Sequence, residues 1–95
     1  MPQHLHYIVA TTTQGDRVEV TLVGNAANVL LLDDAAYAAY SIGRAYTYLG
    51  GYFTHTPAII TPPPGRWHVV VDLGGGGGRV NASVTVRPAP NLFGP

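Results

Sequence analysis

The sequence contains no cysteine, no lysine and no long apolar run, and each absence excludes a class of protein. Without cysteine there is no disulfide framework, no thiolate metal site and no thiol catalysis. Charged residues make up 11% of the chain and the net charge is zero, which argues against a basic surface for duplex nucleic acid. The apolar stretches fall short of the roughly 20 residues that a membrane helix needs. The amino terminus also lacks a cationic start followed by an apolar run, so we expect a cytoplasmic protein that does not bind membranes.

What the chain does contain is a series of short segments in which apolar and polar residues alternate. Its 95 residues suffice for one hydrophobic core. Glycine, proline and asparagine separate the alternating segments, which are 5–11, 17–23, 28–34, 58–61 and 65–86. This pattern predicts an all-β protein, a small antiparallel β-sandwich of jelly-roll type with at most one short helical turn. We expect residues 1–87 to form this single domain and residues 88–95, which include three prolines, to be an extended or disordered tail.

The clearest pattern is a pair of alternating segments, 67–73 and 80–86, on either side of five consecutive glycines at 74–78. It predicts a β-hairpin with the glycines at its tip and one apolar face on each arm. His68 and Asp72 would then lie on the opposite side of the first arm, as an exposed polar row. The predicted core is aliphatic apart from one tryptophan and consists of Val18, Val20, Leu22, Val29, Leu31, Ile59, Trp67, Val69, Val71, Val80, Val84 and Val86.

Three further local predictions concern the segments before this hairpin. Gly24 and Asn25 tolerate positive φ, so the strands on either side of them are expected to be neighbours. Residues 33–40 read DDAAYAAY, which is short for a stable helix and predicts a single helical turn or an irregular crossover. Aromatic residues surround Gly50 and Gly51, which predicts a turn at these glycines with either aromatic strands or a tight hairpin around it.

Several sequence blocks occur together in an order that resembles a known family. The blocks are HY at 6–7, VEVTL at 18–22, NAANV at 25–29, YLGG at 48–51 and WHVVVDLGG at 67–75. Together they resemble the bacterial domain of unknown function family 1883, some of whose members are fused to TIR domains. The resemblance covers about residues 6–86 and implies a compact β-sandwich with no catalytic residues to carry over. More loosely, the strand pattern is similar to the jelly-roll pre-peptidase C-terminal modules, which are non-enzymatic appendages.

A pair of histidines near the amino terminus is the strongest candidate for metal binding. His4 and His6 fall on one face of a strand, about 6–7 Å apart, which suits shared metal ligation. Such a pair needs a third ligand. His55, His68 and Asp72 are available, but nothing in the spacing brings them to the pair. A metal-assisted enzyme that uses His4 and His6 is therefore an alternative to the main interpretation, which assigns the protein no metal.

No other motif satisfies the requirements of an active site. The glycines at 74–78 lack the lysine and the following helix of phosphate-binding loops. Ser41 and Ser83 have no nucleophile motif around them. Asp33 and Asp34 begin the segment that favours a helical turn, where capping accounts for them. The sequence therefore predicts a protein that is not an enzyme and has no cofactor.

A polar and aromatic set in the middle of the chain is the preferred candidate for ligand binding. Aromatic rings stack on planar groups, arginine pairs with anions and asparagine reads polar edges. The candidate residues are Asn25, Asn28, Tyr40, Arg44, Tyr46, Tyr48 and His68.

We therefore expect a non-catalytic binding or interaction module that recognises a small nucleotide-like or anionic signalling ligand. The TIR association of the resembling family places such a sensor or sequestering protein in bacterial or phage immunity. The alternative is a structural module that forms a homo-oligomer through a sheet edge or through Leu92 and Phe93, because a net charge near zero does not oppose self-association.

Overall fold

The computed structural model describes residues 4–74 and 78–89. Within them the chain forms seven strands and one helix. In chain order these are β1 (Leu5–Thr11), β2 (Arg17–Gly24), β3 (Ala27–Leu32), α1 (Asp34–Ser41), β4 (Leu49–Phe53), β5 (Ala58–Ile60), β6 (Gly65–Asp72) and β7 (Val80–Arg87).

The strands form two packed sheets, which confirms the predicted antiparallel β-sandwich. Sheet A has the order β1-β6-β3-β4 and sheet B has the order β5-β2-β7. Each neighbouring pair within a sheet is antiparallel. No helix in the described part of the chain is long and apolar enough to cross a membrane.

The aliphatic core lies between the two sheets, because alternate residues of each strand face inward. Residues of β2, β3 and β6 form its fully buried centre, as predicted: Val18, Val20, Val29, Leu31, Val69 and Val71. Trp67, Val80 and Val84 are partly buried at its margin. The prediction for Ile59 is wrong, because its side chain is 48% exposed. Its neighbours Ala58 and Ile60 face inward, so the alternation in β5 is one residue out of step with the prediction.

The predicted hairpin between β6 and β7 is wrong, because the two strands belong to different sheets. β6 pairs with β1 and β3, and β7 pairs with β2. Two apolar faces can be buried side by side in one sheet or face to face across a sandwich, and alternation does not distinguish these arrangements. The glycine segment therefore connects the sheets, and its residues 75–77 lie outside the described residues.

The expected pairing of β2 with β3 is wrong for the same reason. Gly24 ends β2 in sheet B, with φ +117°, and β3 begins in sheet A. The backbone N–H of Asn25 still donates to the carbonyl oxygen of Arg79, at 2.8 Å, so the chain leaves the β7 ladder only after this residue. The turn residues correctly mark the end of β2 but do not show which sheet the chain enters next.

Gly50 and Gly51 lie within strand β4, and the turn predicted there is absent. Gly50 has φ +110°, and a Cβ atom on it would lie 2.1 Å from the carbonyl oxygen of Val29. Glycine is required because the backbones of β4 and β3 approach closely at this point.

A helix of eight residues, about two turns, occupies the place of the predicted helical turn. The carboxylate of Asp33 caps it by accepting the backbone N–H of Ala36 at 2.7 Å. The helix packs Ala36 and Tyr40 on the outer face of sheet A, against Leu30, Leu32 and Val70. This packing extends the helix beyond the length that its sequence alone favours. It also buries the middle of β3 and β6 on both faces.

The start of the predicted tail is attached to the domain. The backbone N–H of Ala89 donates to Asp16 Oδ1 at 2.9 Å. This bond, together with those from the backbone N–H groups of Thr12 and Thr13, lowers the pKa of Asp16. The rest of the predicted tail, with Leu92 and Phe93, lies outside the described residues.

Candidate functional site

The outer face of sheet A carries the polar chemistry of the domain. The strand register places Asn28 beside both Asp72 and Tyr52, and it places Leu32 beside His68. Helix α1 lies over this face. It divides the polar groups into an Asp72 cluster and a histidine cluster.

The Asp72 cluster consists of Asp72, Asn28, Tyr40 and Gly74. Asp72 Oδ2 accepts the hydroxyl of Tyr40 at 2.7 Å. Asp72 Oδ1 accepts Asn28 Nδ2–H and the backbone N–H of Gly74, each at 2.9 Å. Burial raises the pKa of Tyr40, and the hydrogen bond to Asp72 raises it further, so the phenol stays protonated and donates. The cluster therefore holds a 9% exposed carboxylate with three donors and fixes the end of β6 to β3 and α1.

The histidine cluster consists of His6, His68, Asp34 and Tyr37. His6 Nε2 lies 2.8 Å from His68 Nδ1, and His68 Nε2 lies 2.5 Å from Asp34 Oδ1. The two imidazole rings are 5.1 Å apart and inclined by 7°, so they lie side by side in nearly one plane. The Tyr37 ring stacks on both, at 4.2 Å from His6 and 4.6 Å from His68. Two strands and the helix thus meet at one pair of hydrogen-bonded rings.

Hydrogen-bond partners assign the protons in this cluster. The bond from His68, more than the charge of Arg66, lowers the pKa of Asp34, so Asp34 is ionised and only accepts. His68 therefore carries its proton on Nε2 when neutral, and its Nδ1 accepts the Nε2–H of His6. Burial lowers the pKa of His6, and the neighbouring His68 and His4 lower it further. The neutral chain runs from His6 through His68 to the Asp34 carboxylate.

His4 joins the same cluster of rings but does not complete a metal site. Its Nε2 lies 3.1 Å from the hydroxyl of Tyr37, and its ring lies edge-on to Tyr40 at 5.1 Å. The rings of His4 and His6 are 6.3 Å apart. In residues 4–74 and 78–89, no group of three or more His, Asp or Glu side chains is arranged to hold a metal ion. The metal-assisted alternative thus has no ligand set in that part of the chain.

The structure brings several of the predicted ligand residues together on the outer face of sheet A. Asn28, Tyr40 and His68 lie in the two clusters described above. Tyr46 lies edge-on to Tyr40 at 5.3 Å, and Tyr48 follows at 5.8 Å from Tyr46. Burial raises the pKa of Tyr46, and the charge of Asp72 adds to this effect. These residues form a continuous group of polar rings.

The other two predicted residues lie elsewhere. Asn25 is at the β2–β3 connection, where its Oδ1 accepts the backbone N–H of Arg79 at 2.8 Å. Arg44 is exposed after α1, and its backbone N–H donates to the carbonyl oxygen of Ala39.

The prediction that His68 and Asp72 form an exposed polar row is wrong. They are 7% and 9% exposed, because α1 covers them. Two further members of the site, Tyr37 and Asp34 as a partner of His68, were not predicted from the sequence. The available signal was the spacing of Tyr37 and Tyr40, which places both on one face of a helix.

A cleft opens at the end of the sandwich where β3 leads into α1. Its volume is about 180 Å³. Tyr48, which is 53% exposed, and Trp67 are its aromatic walls. The indole of Trp67 is held by a hydrogen bond from Nε1–H to the carbonyl oxygen of Pro63, at 3.0 Å. The complete lining is Leu31, Asp33, Thr47, Tyr48, Leu49, Pro63 and Trp67.

These features define a small antiparallel β-sandwich domain with one helix on an outer sheet face and an aromatic cleft at one end. The chain belongs to the family described as Domain of unknown function (DUF1883), whose model matches residues 3–90. No curated protein and no solved structure matches the chain. This match confirms the resemblance to that family, and it does not bear on the TIR association or on the similarity to pre-peptidase C-terminal modules.

Proposed function

We propose that this domain is a non-catalytic binding module that takes one planar ring of a small molecule into the cleft between Tyr48 and Trp67. The observation that carries the proposal is the presence of two aromatic side chains on the walls of one cleft. Flat π surfaces of this kind favour stacking on a planar group. Leu49 and Pro63 add apolar surface to the same walls.

The size of the cleft limits what it can hold. Sites for drug-sized ligands occupy about 300–1,000 Å³. At about 180 Å³, this cleft suits a single ring system rather than a whole nucleotide. The nucleotide-like ligand expected from the sequence would place only its base here.

Charge around the cleft favours a neutral or cationic ring. Asp33 lies in the lining, and its carboxylate retains acceptor capacity after capping α1 at one oxygen. The nearby cation Arg66 is paired with Asp34, with 3.6 Å between Nε and Oδ1. A ring with N–H donors, such as a nucleobase, fits this environment better than an anion does. The anionic group expected from the sequence is therefore not part of the proposal for this cleft.

The test is a titration with the four common ribonucleosides, monitored by the fluorescence of Trp67, the single tryptophan of the chain. We expect a saturable fluorescence change and a rise in melting temperature with at least one nucleoside. Tyr48→Ala should abolish both responses. The matched control is Tyr52→Ala, because Tyr52 is 64% exposed on β4 and does not line the cleft.

Two outcomes contradict this proposal. One is the absence of any response at millimolar nucleoside. The other is a response that Tyr48→Ala leaves intact and Tyr46→Ala removes, which would move the site to the rings beside α1.

Strand β7 supports a second candidate function, self-association. It pairs with β2 and, among the described strands, with no other, so one edge is open. Its outer face carries the uncharged residues Asn81, Ser83 and Thr85, and open edges of this kind invite pairing. One of its carbonyl groups, that of Ala82, already accepts the hydroxyl of Tyr7 at 3.0 Å.

Light scattering at increasing protein concentration tests this candidate. If β7 mediates a dimer, Ser83→Lys should shift the protein to monomer. Thr21→Lys is the matched control, because Thr21 lies opposite Ser83 on the paired strand β2. A monomer at hundreds of micromolar would exclude the dimer.

A further inference from the structure

We propose that the His6–His68 pair is a pH switch that holds α1 on sheet A and releases the helix when the pair takes up a second proton. The inference is independent of the proposed ligand. Two observations carry it. The pair connects two strands of sheet A with α1, and its hydrogen bonds can accommodate only a limited number of protons.

The helix is attached to the sheet at three places, one of which is the hydrogen bond from the Tyr40 hydroxyl to Asp72. Its apolar attachment is small and consists of Ala36 and Tyr40 against three aliphatic side chains of β3 and β6. Its polar attachment in the histidine cluster uses two helix residues, since Asp34 accepts from His68 and Tyr37 stacks on both imidazoles. The histidine cluster is therefore one of two polar attachments between helix and sheet, and it is the one that contains imidazoles.

The number of protons on the two imidazoles decides whether the hydrogen bond between His6 and His68 can form. In the neutral pair, His6 Nε2–H donates to His68 Nδ1. With one added proton, a single hydrogen can still lie between His6 Nε2 and His68 Nδ1, so the bond is kept, and the positive charge lies under the Tyr37 face and near the Asp34 carboxylate. With a second added proton, both facing nitrogens carry hydrogen at a separation of 2.8 Å, so the bond is lost and two cations repel.

The surrounding groups offer one compensating carboxylate near the pair. His4, which precedes β1, has its ring 6.3 Å from that of His6, and Arg66 and Asp72 lie on β6 together with His68. Helix α1 contributes Asp34, Tyr37 and Tyr40, and the segment after it contributes Tyr46, while β3 contributes aliphatic side chains. Asp34 is shared with Arg66, and Asp72 is already bound by three donors. A second positive charge on the pair therefore has no further partner among these groups.

The lowered pKa of His6 determines whether a fall in pH strengthens or weakens the docking of α1. Release of the helix uncovers His6, so its pKa rises towards the ordinary value of about 6.5 even though His68 stays beside it on sheet A. The released state therefore binds the proton first as the pH falls. Docking of α1 is complete above that value and weakens as the pH falls towards the lowered pKa. The equilibrium shifts up to about tenfold per pH unit for each proton taken up.

The experiment is backbone amide hydrogen exchange by NMR between pH 7.5 and pH 5, corrected for intrinsic exchange rates, with imidazole ¹⁵N shifts recorded in parallel. We expect the protection of α1 amides to fall by up to about tenfold per pH unit below about pH 6.5. Amides of β2 in sheet B should keep their protection. The imidazole shifts should show that His6 takes up its proton over the same pH range in which α1 loses protection.

His6→Gln separates the switch from general acid sensitivity. Its side-chain amide can still donate to His68 Nδ1 but cannot be protonated, so the variant should fold and lose most of the pH dependence in α1. His55→Gln is the matched control, because His55 is exposed in the β4–β5 connection and contacts Phe53. We expect it to behave like the unmodified protein.

Three results overturn the switch. They are α1 protection that does not change with pH, a pH dependence that His6→Gln leaves unchanged, and a parallel loss of protection in β2 and α1.

Discussion

The two faces of sheet A are packed in different ways although they share the same strands. On the inner face, residues of β3 and β6 meet sheet B through aliphatic side chains that are almost fully buried, such as Leu31 and Val71. On the outer face, the same strands meet α1 through a few aliphatic residues together with His68 and Asp72. The inner contact depends on shape and apolar area, and the outer one also depends on the direction of hydrogen bonds.

This difference indicates where the molecule is stable and where it can change. Aliphatic packing does not respond to pH, whereas a layer held by an imidazole pair and by the carboxylates of Asp34 and Asp72 does. The inner core should therefore set the stability of the whole domain. The outer layer should open first, as a local event.

The largest expected effect comes from a matched pair of substitutions on adjacent residues of β3. Leu31 and Leu32 are both 0% exposed and point to opposite faces. Leu31→Ala should lower the free energy of unfolding by about 2–5 kcal/mol, because it leaves a cavity between the sheets.

Leu32→Ala should destabilise the domain less, because α1 can move over the vacated space, and its main effect should be faster amide exchange in α1. Urea unfolding followed by Trp67 fluorescence and hydrogen exchange measure the two effects. Equal global losses for both variants would contradict the distinction between the faces.

A smaller loss in the free energy of unfolding is expected for a substitution in the Asp72 cluster. Asp72→Ala removes an acceptor from the Tyr40 hydroxyl, the Asn28 amide and the Gly74 backbone. Leaving buried donors without partners costs about 1–3 kcal/mol, so we expect a loss of about 2 kcal/mol. Asp72→Asn is the control, because its carbonyl oxygen still accepts and the Tyr40 hydroxyl can rotate to accept from its amide. Equal losses for the two variants would show that hydrogen bonding is not the cause.

The smallest effect is expected at the start of α1. Asp33→Ala removes the cap on the backbone N–H of Ala36 and should cost about 1 kcal/mol, read out as faster exchange in the first turn of α1. Asp33→Asn should retain most of the cap, since asparagine is an equally good capping residue. A change in β2 protection as large as that in α1 would mean that the helix and the inner core unfold together.

The sequence predicts the inner face better than the outer one. Alternation identifies which residues of β2, β3 and β6 face the core, because strand geometry is local. It does not identify strand partners, so it predicts a hairpin of β6 and β7 although the two strands lie in different sheets. The burial of His68 and Asp72 depends on a short helix that packing stabilises, and no local pattern reports such packing.

The residues of the candidate sites can likewise be predicted from the sequence only in part. Asn28, Tyr40 and Tyr46 could be selected from their residue types, and the structure places them in one group. The aromatic cleft combines Tyr48 with Trp67, which are brought together by the pairing of β3 with both β4 and β6. Contacts between segments that are distant in sequence can be predicted only when the order of strands in the sheets is known. Sequence patterns predict that strand order incorrectly here.

The missing side chain at Gly50 also has a consequence for molecular recognition. Because nothing projects there, the backbone of β4 lies against Val29, and Leu49 and Tyr48 are carried close to Trp67. An alanine at position 50 would push this edge strand outward and widen the gap between the two aromatic rings. If the cleft takes a planar ring as proposed, its selectivity for thin, flat molecules would then depend on Gly50, which does not line the cleft.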